Sequence, residues 1–257
     1  KLPFDVPLEG REFDSLAGFD ALFPALVTLP AEQGRRLFSP FGQTLLDTAA
    51  AGQPYAGPPD LPAAADRTNC GLVPCVAVTF DDGPGPNTPA GLDALAPADS
   101  SATFFVLGPA GQGSPETVKR AYAEGHTIGT HSWSHPELTG LTDEKIVEEV
   151  ERTQRAVAAI PGQTPAYFRP PYGALSERVT GKLAELGLPA VLWDVDSADW
   201  QGPPAAVLVD NAVSPAKEGS IILLHDIKAQ TVEQVPAVLD GLRDRGFSLV
   251  TLDHLLG

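Results

Sequence analysis

Thr79-Phe80-Asp81-Asp82-Gly83-Pro84 closes an apolar run that begins at Cys75. A β-rich run that stops on two carboxylates and a Gly-Pro pair reads as a strand ending in a turn, its last side chains delivered to the strand's C-terminal edge. Two adjacent Asp residues there can divide their labour: one binds a divalent ion, and the other stays free as a general base for a water molecule. About fifty positions on, His131-Ser132-Trp133-Ser134-His135 offers two imidazoles for the same ion. Their i, i+4 spacing predicts that both histidines lie on one side of a helical turn. One carboxylate with two imidazoles leaves coordination positions open for water and a substrate oxygen, as a hydrolytic ion requires.

Outward from that strand, β-rich apolar runs recur at about 75–80, 102–107, 126–130, 165–169, 189–194, 219–224 and 246–250. Helical stretches separate them, and such alternation implies a parallel sheet. The clearest helix covers 142–160, where Ile146, Val150, Thr153, Val157 and Ile160 form one stripe at 3.6-residue periodicity, expected to face the sheet. Ser114 before Pro115 reads as a helix N-cap followed by an N1 proline, and Thr231 with Gln234 as a capping box opening the last long helix.

Composition bounds the function. A hydrophobic fraction of 43% over 257 residues supports a sizeable core and argues against disorder, and no run reaches the 18 or so apolar residues a membrane span needs. The net charge of −16, from 17 basic and 33 acidic residues, repels nucleic acid and anionic membrane surfaces. A neutral or cationic polymer is easier to accommodate. The two cysteines, Cys70 and Cys75, are spaced for a local disulfide, with two buried free thiols as the alternative. A disulfide would imply an oxidising, extracellular setting.

Residues 1–48 are too apolar for a solvated tail, and 49–69 form an Ala/Pro/Gly-rich linker. The leading segment reads either as the end of an accessory domain or as an N-terminal extension wrapped on a barrel. The chain opens at Lys1 and holds no methionine, which predicts a processed or trimmed chain whose signal peptide or anchor is missing.

Five blocks, in order, resemble the polysaccharide deacetylase family, the NodB-like family 4 carbohydrate esterases that remove acetyl groups from sugar polymers. They are Thr79 to Pro84, His131 to His135, Arg169-Pro170-Pro171-Tyr172-Gly173, Asp196-Ser197-Ala198-Asp199-Trp200 and Leu223-Leu224-His225-Asp226. The resemblance runs from about Cys70 to the C-terminus and implies a catalytic domain over 70–257. Its implied fold is a distorted, incomplete (β/α)7 barrel, with functional groups at the C-terminal strand ends.

The same resemblance implies roles. Asp82, His131 and His135 would hold one divalent ion, zinc first, with cobalt or nickel as alternatives. Asp81 would be the general base, with Arg169 holding it ionised and oriented. The Tyr172 backbone N–H would face the developing oxyanion. His225 would be the general acid, oriented by Asp199. Trp200 and Leu223 would wall the acetyl methyl. Trp193 reads as core, and His126 and His254 have no matched role. The implied function is N-deacetylation of N-acetylglucosamine polymers by a secreted bacterial protein, expected to be a monomer. Acetylxylan esterase is the closest alternative, because an ester would use the same residues. An inactive carbohydrate-binding module would be expected to lack at least one of them.

Overall fold

The computed structural model describes residues 68–96, 100–160 and 165–256. The extension expected over 1–48, and the linker as far as residue 67, lie outside the described residues. β1 (Cys75–Asp81) is buried along its whole length, as a strand covered on both faces must be. It pairs in parallel with β2 (Thr103–Val106), β5 (Ile221–His225) and β6 (Ser248–Val250). β3 (Thr127–Thr130) joins β2, and β4 (Val195–Asp196) joins β5, giving the order β3-β2-β1-β5-β4 with β6 on β1.

Parallel neighbours need crossovers, and helices supply most of them. Between β1 and β2 lies α1 (Thr88–Leu95), and between β2 and β3 lie α2 (Gly108–Gly113) and α3 (Pro115–Ala123). α4 (Asp143–Ala158) and α5 (Glu177–Glu185) precede β4, and α6 (Ala205–Val213) precedes β5. α7 (Ala229–Asp244) leads to β6, and α8 (Leu252–Leu256) follows it.

Beyond β3 the sheet continues, among the described residues, only through single bridges, in which Phe168 pairs with Thr130 on one side and Ala190 on the other. The chain then crosses to β4, at the opposite end of the sheet, within residues 191–194. The ring is therefore closed by covalent chain and not by a ladder of hydrogen bonds, which makes it the distorted, incomplete barrel expected.

Two expected strands are reduced by this arrangement. The run at 165–169 contributes one bridge residue, and 189–194 is not a strand: Ala190 bridges, and a two-residue strand starts only at Val195. Side chains take over the ladder's work there. The Arg169 guanidinium donates to the carbonyls of Val191 and Leu192, each at 3.2 Å. The Asp194 carboxylate accepts from the Ser220 hydroxyl and the Ile221 N–H.

Strand alternation divides the core. Val76, Val78 and Phe80 face outward with Leu92, Ile222, Leu224, Val235 and Leu239 in the main cluster, where each buried aliphatic or aromatic side chain contributes about 1.5–3 kcal/mol. Ala77 faces inward with Phe105, Val191 and Leu252. Thr79 and Asp81, at the same parity, continue that inward face toward the C-terminal strand ends. On α4, Ile146, Val150, Thr153 and Val157 are buried as the stripe predicts, and Asp143 and Glu144 complement the helix dipole at its N-terminus.

Of the two cap expectations, one holds in position only and the other needs correction. Ser114 does precede the proline that opens α3, but its hydroxyl makes no capping bond. α7 starts at Ala229, so Thr231 lies inside the helix and no capping box opens it; the Thr231 hydroxyl is used by the site instead. Cys70 and Cys75 are joined by a disulfide, their Cα atoms 5.5 Å apart. Among the described residues no helix is long and apolar enough to cross a membrane.

Candidate active site

In a regular strand Asp81 and Asp82 would face opposite sides of the sheet. Asp82 instead takes a left-handed backbone, φ 72°, which brings both carboxylates to one side. Their Oδ2 and Oδ1 atoms then lie 3.7 Å and 3.6 Å from His131 Nε2. Gly83 is required next, because a Cβ there would run into the carboxyl group of Asp226.

His131 follows β3, and its Nδ1 lies 2.7 Å from the Arg169 carbonyl oxygen. A carbonyl can only accept, so Nδ1 carries the proton and the Nε2 lone pair points toward Asp82. Burial pushes this imidazole below its ordinary value against the opposing pull of Asp81 and Asp82, favouring the neutral, ligating form. His135 arrives by a different route from the one its spacing predicts. Residues 131–135 are a loop and not a helical turn, with Ser132 (φ 69°) and His135 (φ 59°) left-handed and the Ser132 hydroxyl accepting the His135 N–H at 3.0 Å. That bend sets His135 Nε2 3.4 Å from Asp82 Oδ1.

The donor set fits a divalent ion. Ligand atoms of Asp82, His131 and His135 all lie within 4.8 Å of one another. Ligand distances of about 2.0–2.1 Å in a tetrahedral site give ligand–ligand edges of about 3.3 Å, close to the 3.4 and 3.6 Å separations found. Asp82 Oδ1 is also buried without a hydrogen-bond partner among the described residues, an orphan that a cation would satisfy.

Two charged pairs flank this set. Arg169, fully buried, reaches Asp81 Oδ1 at 2.8 Å and the Thr79 hydroxyl at 2.7 Å. Its guanidinium stacks over the Phe105 ring at 4.1 Å, with the half-buried Trp193 at 5.5 Å. Trp193, expected as core, thus shares in holding Arg169. Because Oδ1 of Asp81 is tied to the arginine, Oδ2 is the oxygen left facing the histidines.

Opposite Asp81 in the β1–β5 register stands His225. Its Nδ1 lies 2.7 Å from Asp199 Oδ1, and its backbone N–H donates to Asp199 Oδ2 at 2.8 Å. Thr231 adds a third bond to Asp199, at 2.7 Å. Burial works against the imidazolium, but the hydrogen bond and charge of Asp199, with Asp81 and Asp82 beyond, outweigh it and hold His225 above its ordinary value. Asp199 is held below the usual carboxylate range, its burial opposed chiefly by the bond to His225. Ala198, left-handed at φ 54°, makes the bend that turns Asp199 inward.

Tyr172 is also left-handed, at φ 61°, and its N–H has no partner among the described residues. Its ring, 67% exposed, packs edge-on to His135 with centroids 4.6 Å apart. Trp200 is exposed on the rim, whereas Leu223 is buried on the same face of β5 as His225. His126 lies outside the cluster, accepting the Ala102 N–H on Nδ1, and burial pushes it down to about 4.

Thr79, Thr231 and Asp226 received no site role from the sequence. Thr79 carried a usable signal, since it stands two residues before Asp81 on the same strand face. Thr231 read as a cap, which hid its bond to Asp199. Asp226 lies buried behind the Asp82 turn and accepts the Thr88 hydroxyl, and burial raises its carboxyl to about 7.

Known proteins are similar to this chain. A family model described as polysaccharide deacetylase matches residues 68–191. The peptidoglycan-N-acetylglucosamine deacetylase of Listeria monocytogenes is 40% identical over 183 residues, which cover 71% of this chain and 39% of that protein. The chain thus spans well under half the length of that relative. The chitooligosaccharide deacetylase of Sinorhizobium fredii is 37% identical over 194 residues, covering 70% of this chain and 90% of that protein. A solved structure of the T48 deacetylase with substrate aligns with a TM-score of 0.70 at 43% identity, covering 74% of this chain and 94% of that one.

Proposed function

We propose, for a chain that belongs to the polysaccharide deacetylase family, that its site hydrolyses the acetamide of N-acetylglucosamine units in peptidoglycan, chitin or chitooligosaccharide. The single observation that carries this reading is the opposition of two ion pairs, Asp81–Arg169 and Asp199–His225, across paired strands beside Asp82, His131 and His135. Deacetylation needs that division, because one group must take a proton from water and another must give one to the leaving nitrogen.

Asp82 Oδ1, His131 Nε2 and His135 Nε2 would hold one divalent ion, zinc first, with cobalt or nickel as alternatives. The chemistry such an ion would supply when bound is polarisation of the acetyl carbonyl and a lowering of a water's pKa toward about 7. Asp81 Oδ2 accepts the water's proton, while the bond from Arg169 keeps Asp81 in orientation. The Tyr172 N–H donates to the oxyanion as charge develops on the acetyl oxygen. His225 holds its transferable proton on Nε2, because Nδ1 is engaged with Asp199. It delivers that proton to the departing amine, and acetate and a free glucosamine result. Leu223 and Trp200 form the walls against the acetyl methyl.

The relatives' names favour the amide over the ester, since they describe peptidoglycan-N-acetylglucosamine and chitooligosaccharide deacetylases. A disulfide and a wall or oligosaccharide substrate together favour action outside the cytoplasm. The test is acetate release by the zinc-reconstituted protein from N-acetylglucosamine oligomers, peptidoglycan and acetylated xylan. Turnover of the N-acetylated substrates is expected; turnover of xylan alone would reassign the site to O-deacetylation, and turnover of none would refute it.

A further inference from the structure

The loop that carries both histidines is held from outside by a residue to which none of the roles above applies. Glu149, on α4, directs both carboxylate oxygens at the middle of the loop. Oε2 accepts the N–H of Trp133 at 2.9 Å and of Ser134 at 2.8 Å, and Oε1 accepts the Ser134 hydroxyl at 2.6 Å. Three residues on, the Arg152 guanidinium lies 3.7 Å over the Trp133 ring. Gly108 also lies close against that ring, since a Cβ there would meet Trp133. On the same helix Asp143 pairs with Arg178 and Glu151 with Arg155. Among the described residues Glu149 joins no ion pair, and its charge is directed at two successive amides.

Those amides sit between the two left-handed residues Ser132 and His135. Two adjacent N–H groups that converge on one anion define the local chain direction, and a charged acceptor makes such bonds about twice as strong as neutral ones. Without the carboxylate, the amides would turn to water and the bend at His135 would keep the Ser132 hydroxyl but lose the anchor on Trp133 and Ser134. We infer that Glu149 is a positioning residue for the metal ligands: it fixes the bend that sets His135 against Asp82 before any ion arrives. This rests on the reading of Asp82, His131 and His135 as the metal set. Its energetic content is preorganisation, since a loop already ordered loses less freedom on binding.

The test is the zinc affinity of the metal-free protein, measured by competition with a chromophoric chelator, alongside its thermal unfolding with and without zinc. E149A should bind zinc about 10- to 100-fold more weakly, the range typical for residues that orient ligands, and zinc should raise its unfolding midpoint by less than it raises that of the wild type. E149Q keeps one acceptor oxygen and should fall between the two. E148A, changed at an exposed neighbour on the same helix, should match the wild type. If E149A lowers the metal-free and zinc-loaded midpoints equally and binds zinc as tightly as the wild type, the residue is merely structural and the inference fails. Should E149A not fold, wild-type affinity in E149Q has the same meaning. Failure of the wild type to bind zinc would overturn the metal assignment itself, and the inference with it.

Discussion

Replacing Arg169 by methionine should be among the most damaging single changes in the chain, and its cost can be worked from the contacts. The guanidinium has no exposure to solvent and donates to Asp81, Thr79 and the carbonyls of Val191 and Leu192. Methionine fills much of the volume but leaves the Asp81 carboxylate, only 2% exposed, without its cation. Breaking a buried ion pair from one side costs about 3–5 kcal/mol. The two orphaned carbonyls belong to the segment that closes the barrel, so relaxation toward water there limits any further loss. Against a total stability of about 5–15 kcal/mol this is a large fraction, and at about 2–4 °C per kcal/mol the midpoint should fall by roughly 6–20 °C.

The assay is urea unfolding at pH 7 in the presence of a chelator, so that metal binding adds nothing to the difference. A second variant separates charge from packing. In R169M/D81N both partners are neutral, so the double variant should be more stable than R169M alone, in the way that removing a whole buried pair costs less than removing half of it. R169M within about 1 kcal/mol of the wild type, or a double variant no more stable than the single one, would refute the claim that the buried charge pair dominates this corner of the fold.

Asp82→Asn should weaken zinc binding and abolish turnover, whereas Asp81→Asn should retain the ion and lose activity; metal content measured beside acetate release checks both, and full activity in either variant contradicts the assignment. Because His225 is held above its ordinary value, chiefly by Asp199 against the cost of burial, the protonated acid persists as pH rises, and activity should fall only as pH passes that raised value. The same shift stabilises the fold below the ordinary imidazole value, about 6.5, and that contribution is lost as pH rises through the folded value. Asp199→Asn should move the alkaline limb of kcat toward lower pH and cut kcat, and an unmoved limb in a pH–rate profile would show that another group controls it.

The barrel was legible because its strands are continuous apolar runs, and β1, β2, β3, β5 and β6 lie within the expected ranges or a residue beyond them. The run at 189–194 misled because Val191, Leu192 and Trp193 have strand-like side chains. The carbonyls of Val191 and Leu192 are taken by Arg169, a long-range contact that no local pattern encodes. The histidines were found through their spacing, yet the helical turn inferred from it does not exist, since left-handed residues bring the two rings together instead. Thr231 showed the opposite failing, in that a local capping pattern was outbid by a tertiary partner 32 residues away. Glu149 was invisible for a simpler reason: a glutamate on an amphipathic helix looks the same whether it faces water or two amides.

Asp82, Ser132, His135, Tyr172 and Ala198 are the non-glycine residues with positive φ among those described, and all five border the site. Each such backbone costs on the order of 1–3 kcal/mol that glycine would largely avoid. Laboratory selection of this protein for heat resistance alone would therefore favour glycine at these five positions and erode the catalyst as it hardened the scaffold. Selection on acetate release would pull the other way, so a durable variant is better sought in substitutions on the helical shell.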